Sequence, residues 1–254
     1  MNNKLIREIR FGMPKQWKTG AVVSTYPRPL LALVFEEGGL DVVQEPIVYI
    51  KPSELAEMLT RSVDKIPPIV AIDFCDESKQ VLTGMYAATG NREGFESVIM
   101  VINLLVQAKT MPFKTIVLDS ITQMSEVILR HIAATQAAAM ADARKWAGNI
   151  GLKIAQIMGV LNSVNAHVVY IMHAEMQQNE QTNEISVLPL VHSKLRNKIG
   201  ALVSQFLYAC KEGGKPVVYT TDKGFIKGIG CRWPANLPPV CGATFKDIYG
   251  KELL

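Results

Sequence analysis

Apolar, β-branched runs recur along the first two thirds of the chain and alternate with segments of helical character. These runs cover 30–35, 46–50, 69–74, 115–118 and 167–172. Strands buried on both faces are continuously apolar, and parallel strands need long crossover connections that are usually helices. The alternation therefore predicts an α/β fold with a mostly parallel central sheet flanked by helices.

The segments between the apolar runs carry the helix signals. The segment 52–63 begins with Pro-Ser-Glu, which is a helix-start signal, and the segment 95–108 is rich in apolar residues. A long, alanine-rich helix is predicted over 121–146 and another over 148–164. At the N-terminus, MNNKLIREIRFG alternates charged and apolar residues, which indicates a first strand directly before Gly12.

The pattern changes after residue 172. The sequence EMQQNEQTNE over 175–184 is almost free of apolar residues and predicts a mobile loop, with a solvated hairpin tip as the alternative. Shorter strands are predicted over 185–190, 205–210, 217–221 and 225–229, with a Gly213-Gly214 turn. We therefore expect a single domain over 1–254, with a core over about 1–173 and a β-rich, antiparallel extension over about 185–254.

Composition narrows the class of protein only slightly. A chain of 254 residues with 48% hydrophobic content can bury one full core, and a net charge of +4 permits a nucleic-acid partner. The cysteines lack CxxC spacing, which favours a reducing compartment. The sequence has no export signal and no apolar stretch of membrane-spanning length, so we expect a cytoplasmic protein without a membrane partner.

The strongest motif is GMPKQWKT over 12–19, placed between the first strand and a helix start. It matches the phosphate-binding pattern GxxxxGK[ST] except at its second glycine, where Trp17 stands. In such a loop Lys18 would reach the β and γ phosphates and Thr19 would hold Mg²⁺. The predicted cofactor-binding residues here are Gly12, Pro14, Lys15, Gln16, Trp17, Lys18, Thr19 and Gly20.

Trp17 allows two interpretations. Glycine is usual at its position because the backbone must turn tightly beside the ligand. The tryptophan ring could project outward, toward a base or a neighbouring subunit, or the substitution could weaken or abolish nucleotide binding.

Acidic residues at the ends of predicted strands are the candidates for Mg²⁺ binding and for catalysis. The sequence TIVLDS over 115–120 predicts that Asp119 orders Mg²⁺ together with Thr19, and IVAID ending in Asp73 competes for that role. The following Ser120 and long helix favour Asp119.

In LVFEEGGLD over 33–41, Glu37 is the predicted catalytic carboxylate, since a carboxylate there can polarise the attacking water.

The order of these motifs resembles the RecA superfamily of ATPases, and more narrowly the phage and prophage AAA/RecA-like ATP-binding proteins, some of which are single-strand annealing proteins or minimal recombinases. The resemblance covers most of the chain and is most detailed before Ala174. It implies a RecA-like P-loop NTPase core that binds ATP and Mg²⁺ and acts on single-stranded DNA in phage recombination. It also implies that His173, after the strand HVVYIM, detects the γ-phosphate as a second catalytic residue.

DNA contacts are expected to come from basic residues, because phosphates are bound mainly by lysine and arginine. The segment 175–190, which the resemblance assigns to DNA binding, contains neither. The candidates are an Arg-Lys-Trp sequence that could stack a base and three cations beyond the polar segment: Arg144, Lys145, Trp146, Lys194, Arg196 and Lys198.

The resemblance further implies a homo-oligomer, either a ring or a filament, in which a neighbour's cation completes each site. Lys227 and Arg232 are the candidates for this finger in trans, ahead of Lys223. Another hypothesis, which follows from Trp17, is a non-hydrolysing structural or interaction protein on a degenerate P-loop fold. A kinase acting on a small substrate is weaker, since no acceptor-binding lid is recognisable.

Overall fold

The computed structural model describes residues 4–75, 92–135, 143–181, 183–191, 193–196, 198–234 and 237–250. Strand β1 (Arg7–Gly12) occupies the centre of the sheet and carries the phosphate-loop motif at its carboxyl end. It pairs in parallel with β6 (His167–Gln178) on one side and with β8 (Gln205–Glu212) on the other.

The parallel part of the sheet continues outward from β6. Strand β5 (Thr115–Asp119) pairs with β6 and with β2 (Leu30–Val34), which pairs with β4 (Ile69–Asp73). A two-residue β3 (Val48–Tyr49) ends the sheet. The predicted parallel α/β core is confirmed, and the apolar runs that form β2, β4, β5 and β6 are largely buried on both faces, whereas both residues of β3 are exposed.

Helices cover both faces of this sheet. Helix α1 (Lys18–Thr25) follows the loop, and three long helices, α3 (Arg92–Gln107), α4 (Ile121–Thr135) and α5 (Ala143–Leu161), pack against one another. The short elements are α2 (Leu55–Met58), α6 (Ser193–Arg196), α7 (Phe245–Tyr249) and the 3₁₀ turns Pro52–Glu54, Val63–Lys65 and Ile199–Leu202. Helix α1 contacts α7.

Antiparallel strands extend the sheet at its C-terminal end, as predicted. Strand β9 (Lys215–Tyr219) pairs with β8 across the turn Gly213-Gly214, where both glycines have positive φ. Strand β11 (Val240–Gly242) adds to β9, and β10 (Gly230–Cys231) pairs with β8.

One prediction about this region is corrected and one alternative is decided. The polar segment 175–184 is the solvated end of a hairpin, the alternative to a mobile loop, because β6 runs on to Gln178 and pairs with β7 (Ile185–Pro189). Polar residues suit that hairpin because its exposed end faces water. The predicted strand over 225–229 does not form, since Gly224 and Gly228 take positive φ and turn the chain at each end of the segment.

Other differences concern boundaries. The segment 52–63 contains only a 3₁₀ turn and one short helix, and 46–50 contributes two strand residues. The long helix predicted over 121–146 is described only up to Thr135, and α5 begins at Ala143. None of the described helices is long and apolar enough to cross a membrane.

Candidate functional site

The carboxyl ends of four parallel strands meet beside α1. In the strand register Gly12 is level with His173, Asp119 with Ile171, and Val34 with Asp119. Strand β6 lies between β1 and β5. His173, on β6, therefore lies between the phosphate loop that follows β1 and Asp119 at the end of β5. The sheet thus brings together residues that are far apart in sequence.

One cleft contains nine of the eleven residues predicted for the nucleotide site. Those lining it are Lys15, Gln16, Trp17, Lys18, Thr19, Gly20, Glu37, Asp119 and His173. Glu36, Gly38, Gly39, Val42 and Ile171 complete the lining. Gly12 is buried behind the cleft and Pro14 is exposed on the loop, so neither lines it.

Gly12 is required by packing of the sheet. A Cβ atom built there would lie 2.2 Å from the Ala209 carbonyl oxygen of β8, a backbone atom that cannot easily move. The loop tip is held by the same strand, since the Lys211 N–H donates to Gln16 Oε1 at 2.8 Å. Strand β8 therefore contacts the loop at Gly12, where the loop begins, and again at Gln16.

Lys18 points back into the loop that precedes it. Its ammonium group donates to the carbonyl oxygens of Gly12 at 3.0 Å and Met13 at 2.8 Å. The residue is buried, and burial lowers the pKa of its ammonium group, although Glu36 and Asp119 oppose that shift. The ammonium group is therefore positioned to form charge-assisted hydrogen bonds with an anion bound in the loop.

Trp17 occupies the glycine position in a left-handed conformation, with φ 61° and ψ 27°. Its indole ring does not project outward. It is partly buried and lies over Gly20, where a Cβ would come within 2.5 Å of the indole nitrogen. Gly20 thus makes room for the ring, and the backbone of the loop keeps the turn that a glycine would give.

Thr19 and Asp119 form the polar contact at the centre of the cleft. The Thr19 hydroxyl donates to Asp119 Oδ2 at 2.8 Å. Burial raises the pKa of Asp119 to about 6, and the Thr19 hydrogen bond opposes this rise. The competing carboxylate, Asp73, is exposed two strands farther along the sheet and accepts the Cys75 N–H at 2.7 Å.

This pair fits a magnesium site. Within the described residues, Asp119 Oδ1 is buried and accepts no hydrogen bond, so one carboxylate oxygen remains for a ligand. A hydroxyl and a carboxylate are hard oxygen donors of the kind that Mg²⁺ prefers, and Mg²⁺ usually keeps several waters and phosphate oxygens as its other ligands. The donor set therefore suits a magnesium ion bound together with phosphates.

The first of the paired carboxylates, Glu36, contacts His173. His173 Nε2 lies 2.9 Å from Glu36 Oε2, and this hydrogen bond lowers the pKa of Glu36. Glu37, which the sequence predicts as catalytic, lines the same cleft but is exposed. The sequence pattern indicated the pair of glutamates but could not single out Glu36.

Gly39 is a further site residue that the sequence did not indicate. A Cβ there would lie 2.8 Å from Asp119 Oδ2 and 3.1 Å from the Glu36 carbonyl oxygen. The turn after β2 therefore passes directly over Asp119, and only glycine fits without displacement. The Asp119–Ser120 peptide bond beneath it is cis.

Of the six predicted DNA residues, the structure describes the side chains of Arg196 and Lys198. Arg196 forms an ion pair with Glu175 and donates to the Val191 carbonyl, while Lys198 is exposed. Arg144, Lys145 and Trp146 fall in the first turns of α5, and Lys194 falls in α6. The side chains of these four residues lie outside the described part of the structure.

The predicted finger residues lie at different places. Lys227 is exposed next to Ile226, which bridges to Val187 beyond the carboxyl end of the sheet. Arg232 is exposed beside the amino end of β8, where its N–H donates to the Ser204 carbonyl. Lys223 forms an ion pair with Glu212.

Comparison with known proteins agrees with this geometry. A protein-family model described as an AAA domain matches residues 11–224, which include the loop, both strand-end acids and His173. No curated protein matches the chain. The match covers most of the chain, and the cleft has the phosphate loop and buried acid of a nucleotide site; the chain belongs to this AAA domain family of ATP-binding P-loop NTPases.

Proposed function

We propose that the protein binds ATP with Mg²⁺ in the cleft beside α1, hydrolyses it, and uses this cycle on single-stranded DNA in recombination or annealing of the phage type. The observation that carries the nucleotide part is the Thr19–Asp119 hydrogen bond beside the buried Lys18. These groups supply a cation for the phosphates and oxygens for the metal.

The loop and α1 would bind the phosphates through backbone N–H groups and the positive end of the helix dipole. Thr19 and Asp119 would hold Mg²⁺, which supplies a charge that neutralises the phosphate oxygens. Lys18 would exchange its two carbonyl partners for phosphate oxygens. Its lowered pKa reflects burial in the free protein, and an anion in the loop would favour the charged form again.

Water activation needs a carboxylate that stays ionised and is correctly placed. Glu36 meets the first requirement, because the His173 hydrogen bond lowers its pKa, and His173 also fixes its side chain. His173 Nδ1 is buried without a hydrogen-bond partner among the described residues. We propose that Glu36 acts as the base and that His173 orients it, while Glu37 stays a prediction for the same role.

Substitution of each glutamate separates these two assignments. Glu36→Gln is expected to lower the ATP hydrolysis rate roughly a hundredfold or more, as loss of a general base does, with ATP affinity retained. Glu37→Gln, a change of the same chemistry one residue away, is expected to lower the rate less than about tenfold. Steady-state hydrolysis and nucleotide titration measure both; a larger loss in Glu37→Gln would assign the base to Glu37 instead.

The DNA and oligomer parts of the proposal rest on the resemblance to phage ATP-binding proteins and on the net positive charge. ATP binding and turnover are measured with and without single-stranded DNA, and the mass of the assembly is measured under the same conditions. Turnover stimulated by DNA in a ring or filament would support the proposal. A protein that stays monomeric with ATP and DNA present would contradict the oligomer part.

Trp17 provides the test of the non-hydrolysing alternative. Its backbone already has the left-handed φ that glycine takes without strain, so Trp17→Gly removes the ring and keeps the turn. We expect the Kd for ATP to change by less than about threefold, a free-energy change below about 1 kcal/mol. Isothermal titration measures it, and a gain of more than tenfold would show that the ring obstructs the nucleotide.

A further inference from the structure

The hydroxyl group of Thr122 joins three segments at the carboxyl edge of the sheet. It accepts the His173 N–H of β6 at 3.0 Å and donates to the Leu190 carbonyl oxygen at 3.0 Å. The Leu190 N–H donates in turn to the His173 carbonyl oxygen at 2.7 Å. The three residues thus form a closed set of hydrogen bonds that satisfies both polar groups of the His173 backbone.

The strand register explains why a side chain takes this place. Strand β5 pairs with β6 only as far as Asp119, which lies opposite Ile171, and α4 begins at Ile121. His173 lies two residues beyond Ile171, where β5 no longer offers a carbonyl oxygen. The Thr122 hydroxyl accepts the His173 N–H instead, so this backbone group keeps a partner past the end of β5.

The helix itself does not use the Thr122 hydroxyl. Ser120 caps the start of α4, since its Oγ accepts the Gln123 N–H at 3.2 Å and its carbonyl oxygen accepts the Met124 N–H at 2.9 Å. A threonine inside a helix commonly donates to a carbonyl one turn earlier in the same helix. Thr122 donates to a carbonyl 68 residues later in the chain, and the residue is only 9% exposed. Its hydroxyl therefore serves a tertiary contact.

The position of the His173 ring depends on this backbone contact. The imidazole Nε2 lies 2.9 Å from Glu36 Oε2, while Nδ1 is buried without a hydrogen-bond partner among the described residues. No second hydrogen bond within the described structure holds the ring, so its direction follows from where the His173 backbone lies. A displacement of about 1 Å at such a contact can change a reaction rate about a hundredfold.

We propose that Thr122 is a positioning residue, whose hydroxyl fixes the His173 backbone so that the imidazole meets Glu36. This inference rests on the proposed function, in which Glu36 activates the attacking water and His173 orients it. Thr122 does not belong to the residues that line the cleft, so it acts through His173 and not on the nucleotide.

Replacement of Thr122 by a side chain of the same shape tests this role. Thr122→Val is expected to lower kcat for ATP hydrolysis roughly tenfold to a hundredfold, because His173 is displaced. The KM and the Kd for ATP should change less than about threefold, since Thr122 touches no ligand. Thr122→Ser, which keeps the hydroxyl, should restore kcat to within about threefold of the wild type.

Thr115→Val is the matched control. The Thr115 hydroxyl is buried at the opposite end of β5 and donates to the Pro27 carbonyl oxygen at 2.8 Å. Its loss removes a hydrogen bond of the same kind far from the cleft. Thr115→Val should therefore lower the melting temperature and leave kcat unchanged.

A double-mutant cycle distinguishes positioning from general loss of structure. In a His173→Ala background, Thr122→Val is expected to lower kcat less than about twofold, because the ring that Thr122 positions is absent. An effect on kcat of equal size in both backgrounds would show that Thr122 acts on the fold and not through His173, and would overturn the inference.

Nitrogen-15 NMR of the histidine rings tests the contact without any hydrolysis. The hydrogen bond at one ring nitrogen determines where the imidazole proton resides, and the ring shifts report it. In the nucleotide-free protein, with His173 signals assigned by their loss in His173→Ala, Thr122→Val should shift these resonances as Glu36→Gln does. Thr122→Ser and Thr115→Val should leave them at their wild-type values.

The outcomes for the inference and for the proposed function are separate. Shifted His173 resonances in Thr122→Val that return in Thr122→Ser support the inference, and unchanged resonances in Thr122→Val would overturn it. A wild type that binds ATP but does not hydrolyse it would contradict the proposed hydrolysis, while the ring resonances would still decide whether Thr122 places His173 against Glu36.

Discussion

Lys18→Ala is expected to weaken ATP binding by roughly thirtyfold to several thousandfold and to reduce hydrolysis below detection. Loss of one partner from a buried, hydrogen-bonded charge pair costs about 2–5 kcal/mol, which corresponds to that range of Kd. The ammonium group is buried inside the loop and has no partner there except the carbonyl oxygens of Gly12 and Met13 among its described hydrogen bonds. Nucleotide titration and steady-state hydrolysis measure the two effects.

The same substitution should not destabilise the nucleotide-free protein. Burial lowers the pKa of Lys18, so the charged group is disfavoured in the folded state without its ligand. Lys18→Met, which keeps an unbranched side chain in the buried position, should melt at the wild-type temperature or above. Lys65→Ala serves as the control for removal of an exposed lysine. Retention of wild-type ATP affinity in both Lys18 variants would contradict the assignment of the loop.

The clustering of the candidate site residues in one cleft was largely predictable because it follows from the positions of strand ends. Asp119 and His173 each follow a continuously apolar run, and parallel strands put such ends at one edge of the sheet. The choice between Glu36 and Glu37 was not predictable in this way. Both lie beyond the last residue of β2, where the turn rather than the strand period determines which side chain meets His173.

One wrong prediction and one omission concern contacts outside the local sequence. The segment 225–229 has apolar residues typical of a strand, but Gly224 and Gly228 turn the chain and the Phe225 carbonyl accepts the Val187 N–H of β7. The alternating charges of the N-terminal segment correctly predicted a strand, but they did not indicate that its charged side chains are buried. Glu8 and Arg10 lie two residues apart and therefore on one face of β1, but only the packing of the C-terminal helix shows that this face is fully buried.

Arg10→Met is expected to lower the free energy of unfolding by about 3–5 kcal/mol, because it leaves a buried carboxylate without its cation. Arg10 Nε donates to Glu8 Oε1 at 2.7 Å, and both side chains are completely buried. Although burial alone would lower the pKa of Arg10, the Glu8 carboxylate raises it above its ordinary value. Arg10 is thus charged in the folded state. For a chain of this length the loss corresponds to a fall in Tm of roughly 6–20 °C.

The C-terminal helix closes this network over the phosphate-loop strand. Tyr249 of α7 donates to Glu8 Oε2 at 2.5 Å, Tyr26 donates to the same oxygen, and Arg10 donates to the Ala243 carbonyl at 2.8 Å. Tyr249→Phe removes one hydrogen bond to a charged group and should cost about 1.5–3 kcal/mol. Residues beyond the family match therefore stabilise the strand on which the nucleotide loop is built.

A double-mutant cycle measured by urea unfolding tests the charge pair itself. Glu8→Met combined with Arg10→Met should be less destabilising than the sum of the single changes, since an apolar pair replaces two buried charges. Arg61→Met removes the arginine of an exposed pair with Glu57 and should cost less than about 1 kcal/mol. If Arg10→Met lowered the free energy of unfolding no more than Arg61→Met, the buried pair would not be the contact that holds the C-terminal helix against β1.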